Sequence, residues 1–130
     1  MVKKPAIFFD RDGTLIKTNV QNNKPFAINN INKLNIYKSS YKLCKILKKK
    51  YKLFIVTNQP DVAQKKIKKK DVIFINNKIK NELKISKVYN CFCKSDNCKY
   101  RKPNSGMIKK AAKEFDKTKK EFKNLLDEQF

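Results

Sequence analysis

Residues 6 to 9, Ala-Ile-Phe-Phe, form a short unbroken apolar run that ends at Asp10, the pattern of a strand covered on both faces in a parallel sheet. Leu53 to Val56 repeats the pattern and ends at Thr57-Asn58-Gln59-Pro60. Between the two runs, Tyr41, Cys44, Leu47 and Tyr51 keep helical spacing behind Ser39 or Ser40, either of which can cap the helix. Strand, helix, strand predicts a right-handed crossover unit. Val72, Ile75, Ile79 and Leu83 recur at helical steps and predict a second helix with Asp71 as its N-cap. Val88 to Phe92 reads as a third strand. Asn104 or Ser105 starts a third helix with an apolar face of Ile108, Ala111, Ala112 and Phe115, and Phe122 to Asp127 is a weaker strand candidate. The stretch from Lys17 to Lys38 has many asparagines and little periodicity, which predicts a loop over the end of the first strand. The lysine runs at 48–50 and 68–70 read as solvated helix faces or turns.

Strands alternating with helices predict an α/β fold, a doubly wound Rossmann-like parallel sheet with helices on both faces. Ligands of such sheets bind beyond the carboxyl ends of the strands, where Asp10, Thr57 and Cys91 fall. At 130 residues the chain is long enough for one domain with a real core, so residues 1–130 are read as one domain.

Lysine and arginine total 33 against 11 acidic residues, and the formal charge of +22 attracts anions of any kind. The lysines are spread over every segment, which is how compositional drift in an AT-rich genome looks, so the charge by itself does not name a partner. Rare residues carry more information. The only arginines are Arg11 and Arg101 and the only glycines Gly13 and Gly106, and all lie in two short motifs. Only five residues separate Lys4 from Asp10, too few for a signal peptide's apolar stretch, and no apolar run approaches the roughly 18 residues of a membrane span. The expectation is a soluble cytoplasmic monomer, with its four cysteines reduced and no membrane partner.

Asp10 at the end of a buried strand, with Asp12 two residues on and Gly13-Thr14 following, places two carboxylates on a tight turn whose N–H groups form an anion-binding concavity. One carboxylate can attack phosphorus while the other gives a proton to the leaving alkoxide. The plain alternative for "DRDGT" alone is an Asp-Gly surface turn. For "TNQP" it is a polar strand exit, and for "RKP" a charged turn before a helix.

"FFDRDGTLI", then "VTNQPDVAQ", then "RKPNSGM", taken in order, resemble the haloacid dehalogenase-like superfamily of phosphatases. The spacing resembles the group that contains D-glycero-D-manno-heptose 1,7-bisphosphate 7-phosphatase and histidinol-phosphate phosphatase, over nearly the whole chain. The resemblance implies a magnesium-dependent phosphatase of carbohydrate metabolism that acts on a small phosphorylated substrate through an aspartyl phosphate. Asp10 would be the nucleophile and Asp12 the general acid, then the base for water. Thr57 and Asn58 would hold the phosphoryl oxygens, and Lys102 would neutralise charge. Arg101, whose planar fork suits bidentate phosphate binding, would recognise the substrate together with Arg11 and Gln59. Magnesium would bind the Asp10 carboxylate, the Asp12 carbonyl and one further acidic residue.

Two departures from the family pattern stand out. Relatives carry a zinc loop, Cys-x-His, a spacer, then Cys-x-Cys before Arg-Lys-Pro. Here "CFCKSDNCKYRKP" puts Cys93 where the histidine would be and Tyr100 where the last cysteine would be. Cys91, Cys93 and Cys98 remain for a metal that takes four ligands in structural sites, with water or Asp96 as the fourth, so zinc and a metal-free loop are both open. Cys44 reads as a core residue. Relatives also continue after the third helix to a strand ending Gly-Asp, a further aspartate, a helix and a strand. Asp127 falls at the count of the metal-binding aspartate, but Leu126 replaces the glycine and the sequence stops at Phe130. The expectation is therefore a truncated member without the last helix and strand, whose own activity is in doubt. Two competing readings follow: a degenerate, non-catalytic remnant that binds phosphate or a partner, and a basic nucleic-acid-binding module suggested by charge alone. Specific nucleic-acid binding is not expected, because no lysine patch stands out.

Overall fold

The computed structural model describes residues 4–93, 95 and 97–114. Five strands and three helices follow one another as β1 (Ala6–Phe9), β2 (Asn19–Gln21), β3 (Lys24–Phe26), α1 (Lys38–Leu47), β4 (Lys52–Asn58), α2 (Lys69–Leu83), β5 (Lys87–Cys91) and α3 (Gly106–Glu114). β1, β4 and β5 form a parallel sheet in the order β1-β4-β5.

β4 is the middle strand, and Leu53 to Thr57 are buried without a break. Alternation along it assigns the two faces. Phe54 and Val56 join Phe8, Tyr89 and Cys91 under Met107, Ile108, Ala111 and Ala112 of α3. Phe8 and Phe54 stack there with ring centroids 5.2 Å apart. Leu53 and Ile55 face the other way, onto Cys44 of α1 and Ile75, Ile79 and Leu83 of α2. The sheet therefore carries helices on both faces, the doubly wound arrangement read from the sequence. Among the described residues no helix is long and apolar enough to cross a membrane.

The helix starts differ from the sequence expectation. Tyr37, not Ser39 or Ser40, is the N-cap of α1 and makes no side-chain cap bond. Ser40 lies inside the helix, and its buried hydroxyl donates to the Leu15 carbonyl at 2.8 Å, tying α1 to the chain leaving β1. Tyr41 is 42% exposed, outside the apolar face, and donates to Glu82 of α2 at 3.3 Å. Lys68 is the N-cap of α2, again without a side-chain bond, and Asp71 sits within the first turn, where its charge favours the helix dipole. A polar N-cap is dispensable where packing already holds the first turn.

The segment 17–38 is more ordered than a loop. β2 and β3 pair antiparallel around Asn22 and Asn23, whose φ values of 50° and 64° make the two-residue turn that asparagine tolerates. A 3-10 turn follows at Ile31–Lys33, and Ile28 is buried. Phe115, the strand candidate 122–127, Asp96 and Asp127 lie outside the described residues.

Gly106 opens α3 at a point of close approach. A Cβ there would lie 2.4 Å from the Lys99 carbonyl oxygen, which already accepts the Gly106 N–H at 2.9 Å. Gly106→Ala must push backbone against backbone, so it is expected to destabilise the fold by about 1–3 kcal/mol. Urea unfolding measures this, and an unchanged midpoint would show that the 99–106 turn relaxes freely.

Candidate active site at the carboxyl end of the sheet

All three strands of the parallel sheet end at the same edge, and the polar residues that follow them form one hydrogen-bonded set. The chain leaves β1 through a tight turn. Leu15 and Ile16 donate their N–H groups to the Arg11 carbonyl at 3.1 and 3.3 Å, and Gly13, at φ 77°, donates to Ile16. A residue with a Cβ would be strained at that φ.

Asp10 is 49% exposed by side chain. Its Oδ1 accepts from the Arg11 N–H at 3.0 Å and from Lys102 Nζ at 2.6 Å. Lys102 comes from a segment 92 residues away and is placed by Asn58, the last residue of β4. Asn58 Oδ1 accepts the Lys102 N–H at 2.9 Å, and Asn58 Nδ2 donates to the Lys102 carbonyl at 3.3 Å. This two-point clamp uses an amide where one donor and one acceptor are needed side by side.

Asp12 is held from two sides. The Arg11 guanidinium grips it through Nε at 3.2 Å and through NH2 at 3.1 and 3.3 Å from its two oxygens. Gln59 Nε2 donates to Asp12 Oδ2 and to Thr57 Oγ1, each at 2.9 Å. Because Thr57 Oγ1 accepts that bond, the hydroxyl keeps its own proton to donate.

The geometry thus brings Asp10, Asp12, Thr57, Asn58, Gln59 and Lys102 together at the end of the sheet, and it adds what several expected site residues touch. Arg11 and Gln59, expected among substrate contacts, are buried at 0% and 1% exposure. Their side-chain nitrogens donate to Asp12, Thr57 and Asn76. Asn58, expected on the phosphoryl oxygens, clamps the Lys102 backbone. Arg101, expected to face the substrate, is half-buried, and its NH1 donates to the Cys93 carbonyl at 3.0 Å. Asn76 was not legible as part of the set. The signal that could have found it is a polar residue on the α2 stripe otherwise made by Val72, Ile75, Ile79 and Leu83.

The three sulfurs of Cys91, Cys93 and Cys98 lie within 4.8 Å of one another, and those of Cys91 and Cys98 are 3.8 Å apart. Tetrahedral zinc with Zn–S bonds of about 2.3 Å separates its sulfurs by about 3.8 Å, so the spacing fits three corners of such a site. Hydrogen bonding among the three thiols pushes Cys93 up to about 12 and pulls Cys98 down, while burial pushes Cys91 up. Cys44 is buried in the core, as expected, and burial raises its thiol. For a hard cation the donors fit as well. Among the described residues both hydrogen bonds to Asp10 fall on Oδ1, which leaves Oδ2 of this half-exposed carboxylate for a further cation.

A family model described as polynucleotide kinase 3 phosphatase matches residues 5–127. A D-glycero-alpha-D-manno-heptose-1,7-bisphosphate 7-phosphatase of Campylobacter jejuni is 33% identical over 129 residues, which cover 88% of this chain and 66% of that one. A 20.8 kDa protein of Autographa californica nuclear polyhedrosis virus is 32% identical over 114 residues, 87% of this chain and 59% of its own. The chain therefore spans about two thirds or less of the length of these curated relatives. A D,D-heptose 1.7-bisphosphate phosphatase from B. bronchiseptica, crystallised with magnesium and phosphate, shares the fold with a TM-score of 0.70 at 20% identity, over 86% of this chain and 64% of that one. A protein from Mesorhizobium loti described as a HAD-like phosphatase superposes with a TM-score of 0.68 at 19% identity, over 86% and 57% of the two chains.

Asn58→Ala removes both halves of the clamp and leaves the Lys102 N–H and carbonyl without their partner. The expected cost is about 1–3 kcal/mol in urea unfolding. Asn58→Asp, which keeps the acceptor, should lose less. Equal losses in the two variants would show that the Lys102 N–H bond contributes nothing.

Proposed function

The chain belongs to the polynucleotide kinase 3 phosphatase family, among the haloacid dehalogenase-like proteins, and on that premise we propose that it is a phosphoric monoester hydrolase with Asp10 as its nucleophile. The observation that carries this reading is the Asp10–Lys102 contact of 2.6 Å at the open end of the sheet, with Asp12 held beside it. Asp10 is the exposed carboxylate of the pair and so the one a phosphate ester can meet. Its oxygen attacks phosphorus, the bond from phosphorus to the ester oxygen breaks, and Asp12 gives that oxygen a proton. Water then attacks the aspartyl phosphate, Asp12 takes the water's proton, and phosphate leaves with Asp10 restored. The Lys102 ammonium offsets the negative charge of the phosphoryl group as it approaches a carboxylate. The Thr57 hydroxyl, buried at the end of β4 with its proton unclaimed among the described residues, would donate to a phosphoryl oxygen.

Magnesium would be held by the Asp10 carboxylate and the Asp12 carbonyl, with Asp127 as the further ligand outside the described residues, and when bound would neutralise charge on the transferring group. The magnesium and phosphate in the B. bronchiseptica structure support magnesium as the cation. A small sugar phosphate is the favoured substrate class, heptose 1,7-bisphosphate first, since two of the relatives carry that name. A nucleic-acid 3′-phosphate is the second class, favoured by the description of the family model together with the charge of +22.

The test is phosphate release with magnesium from heptose 1,7-bisphosphate, histidinol phosphate and a 3′-phosphorylated oligonucleotide. Asp10→Asn should abolish release without changing the far-ultraviolet circular dichroism. Activity surviving in that variant would remove Asp10 from the mechanism. A wild-type chain that binds phosphate but hydrolyses none of the three would fit the non-catalytic remnant instead.

The thiol cluster supports a structural zinc ion held by Cys91, Cys93 and Cys98. The chain should then retain about one zinc per molecule after dialysis, and Cys98→Ser should lose it together with thermal stability. A zinc-free wild type with the same melting temperature in the presence of a chelator would establish the loop as metal-free.

A further inference from the structure

Arg11 has its side chain fully buried, and a guanidinium in the interior is tolerated only when its donors are met. Two of its nitrogens hold Asp12, and the third, NH1, donates to Asn76 Oδ1 at 2.9 Å. Asn76 is 2% exposed and stands on the apolar stripe of α2. An amide there costs stability unless both of its ends are paired, and both are: Nδ2 donates to Asn90 Oδ1 on β5 at 2.7 Å. Because Arg11 can only donate, the orientation of the Asn76 amide is fixed, with its oxygen toward Arg11. A chain of hydrogen bonds, buried at Arg11 and Asn76 and half-buried at its two ends, thus runs from β5 through α2 to the carboxylate that handles protons.

Nothing in core packing requires it. Apolar side chains at 76, 11 and 12 together would fill the same space without burying a charge, and replacements of a whole buried pair are often neutral or better for stability. What the polar chain adds is direction. Asp12 cannot turn about its side-chain bonds without taking the Arg11 fork with it, and the fork is pinned from behind. Every described side-chain contact to Asp12 comes from a donor, so the direction of both its oxygens is fixed. We propose that Asn76 is a positioning residue of the reaction: it acts through Arg11 to aim Asp12, and Asn90 in turn orients Asn76. This deepens the phosphatase reading of the same site and rests on it.

The experiment has one arm that needs no turnover. The chain contains only two arginines, so its arginine Nε–H spectrum by nuclear magnetic resonance holds two signals, which Arg11→Lys assigns. In the wild type the Arg11 signal should exchange slowly with water. In Asn76→Ala, whose helix propensity is good, exchange should quicken at least about tenfold, and in Asn76→Asp, which keeps the acceptor, it should return most of the way. In the second arm, Asn76→Ala should lower kcat on the best substrate by about tenfold to a hundredfold without raising KM, and Asn76→Asp should recover it. Asn90→Ala, outside α2, should move both readings in the same direction by less, and it carries the test if Asn76→Ala does not fold. An Arg11 signal that exchanges freely in the wild type, or is unmoved in Asn76→Ala, overturns the proposal. So does a folded Asn76→Ala with unchanged kcat. A wild type that releases no phosphate removes the phosphatase reading, and with it the catalytic half of the proposal, while the exchange arm still decides whether the brace exists.

Discussion

A full positive charge with no exposure to water is the most demanding feature of this domain. The Arg11 guanidinium must find its partners inside the protein, and it finds them on three different segments: its own turn, α2 and, through Asn76, β5. Each of those segments has to arrive at one place and one orientation for the charge to be tolerated at all. The tight turn after β1, the positive φ at Gly13 and the polar break in the α2 stripe all serve that arrangement. The requirement is local, yet it fixes how the strand ends relate to one another, and the candidate site is built from those ends.

The two carboxylates differ because their cations differ. Asp12 is only 21% exposed and is paired with an arginine whose planar fork cannot move independently. Asp10 is half exposed and is paired with a lysine, a point charge on a flexible stem. One pair is set for geometry and the other for access. Asn58 reconciles them, since it holds the backbone of Lys102 while leaving its side chain free to reach across the site.

The parallel sheet and its helices were legible because burial dictates pattern. Ala6–Phe9 and the core of β4 are apolar runs, and α2 carries its stripe openly. The segment 17–38 was not legible, because strands of three residues with exposed side chains carry no periodic signal. The Asn22–Asn23 pair between them was a usable turn signal all the same. Among site residues, Asp10, Asp12, Thr57 and Lys102 stand at strand ends or in a distinctive order, and the structure gathers them. Arg11, Gln59, Asn58 and Arg101 were placed near the site, and the protein groups they touch there, Asp12, Thr57, the Lys102 backbone and the Cys93 carbonyl, were not legible. Polar residues in a motif look alike in sequence whether they face a ligand or brace one another, and only burial separates the two cases. Asn76 was invisible for the opposite reason, being one polar letter inside a helix.

The contact between Asp10 and Lys102 closes a span of 92 residues. Closing so long a loop costs about 4 kcal/mol in chain entropy beyond a constant term, and the clamp that places Lys102 depends on β4 already lying in the sheet. The pair is therefore a long-range contact whose geometry depends on β4 holding its place in the sheet. During synthesis Asp10 emerges first and waits for a partner nearly the whole described chain away. Its carboxylate has Lys102 beside it only where β1, β4 and the segment at 102 come together, so the pairing of the two charges reports on the assembly of the sheet.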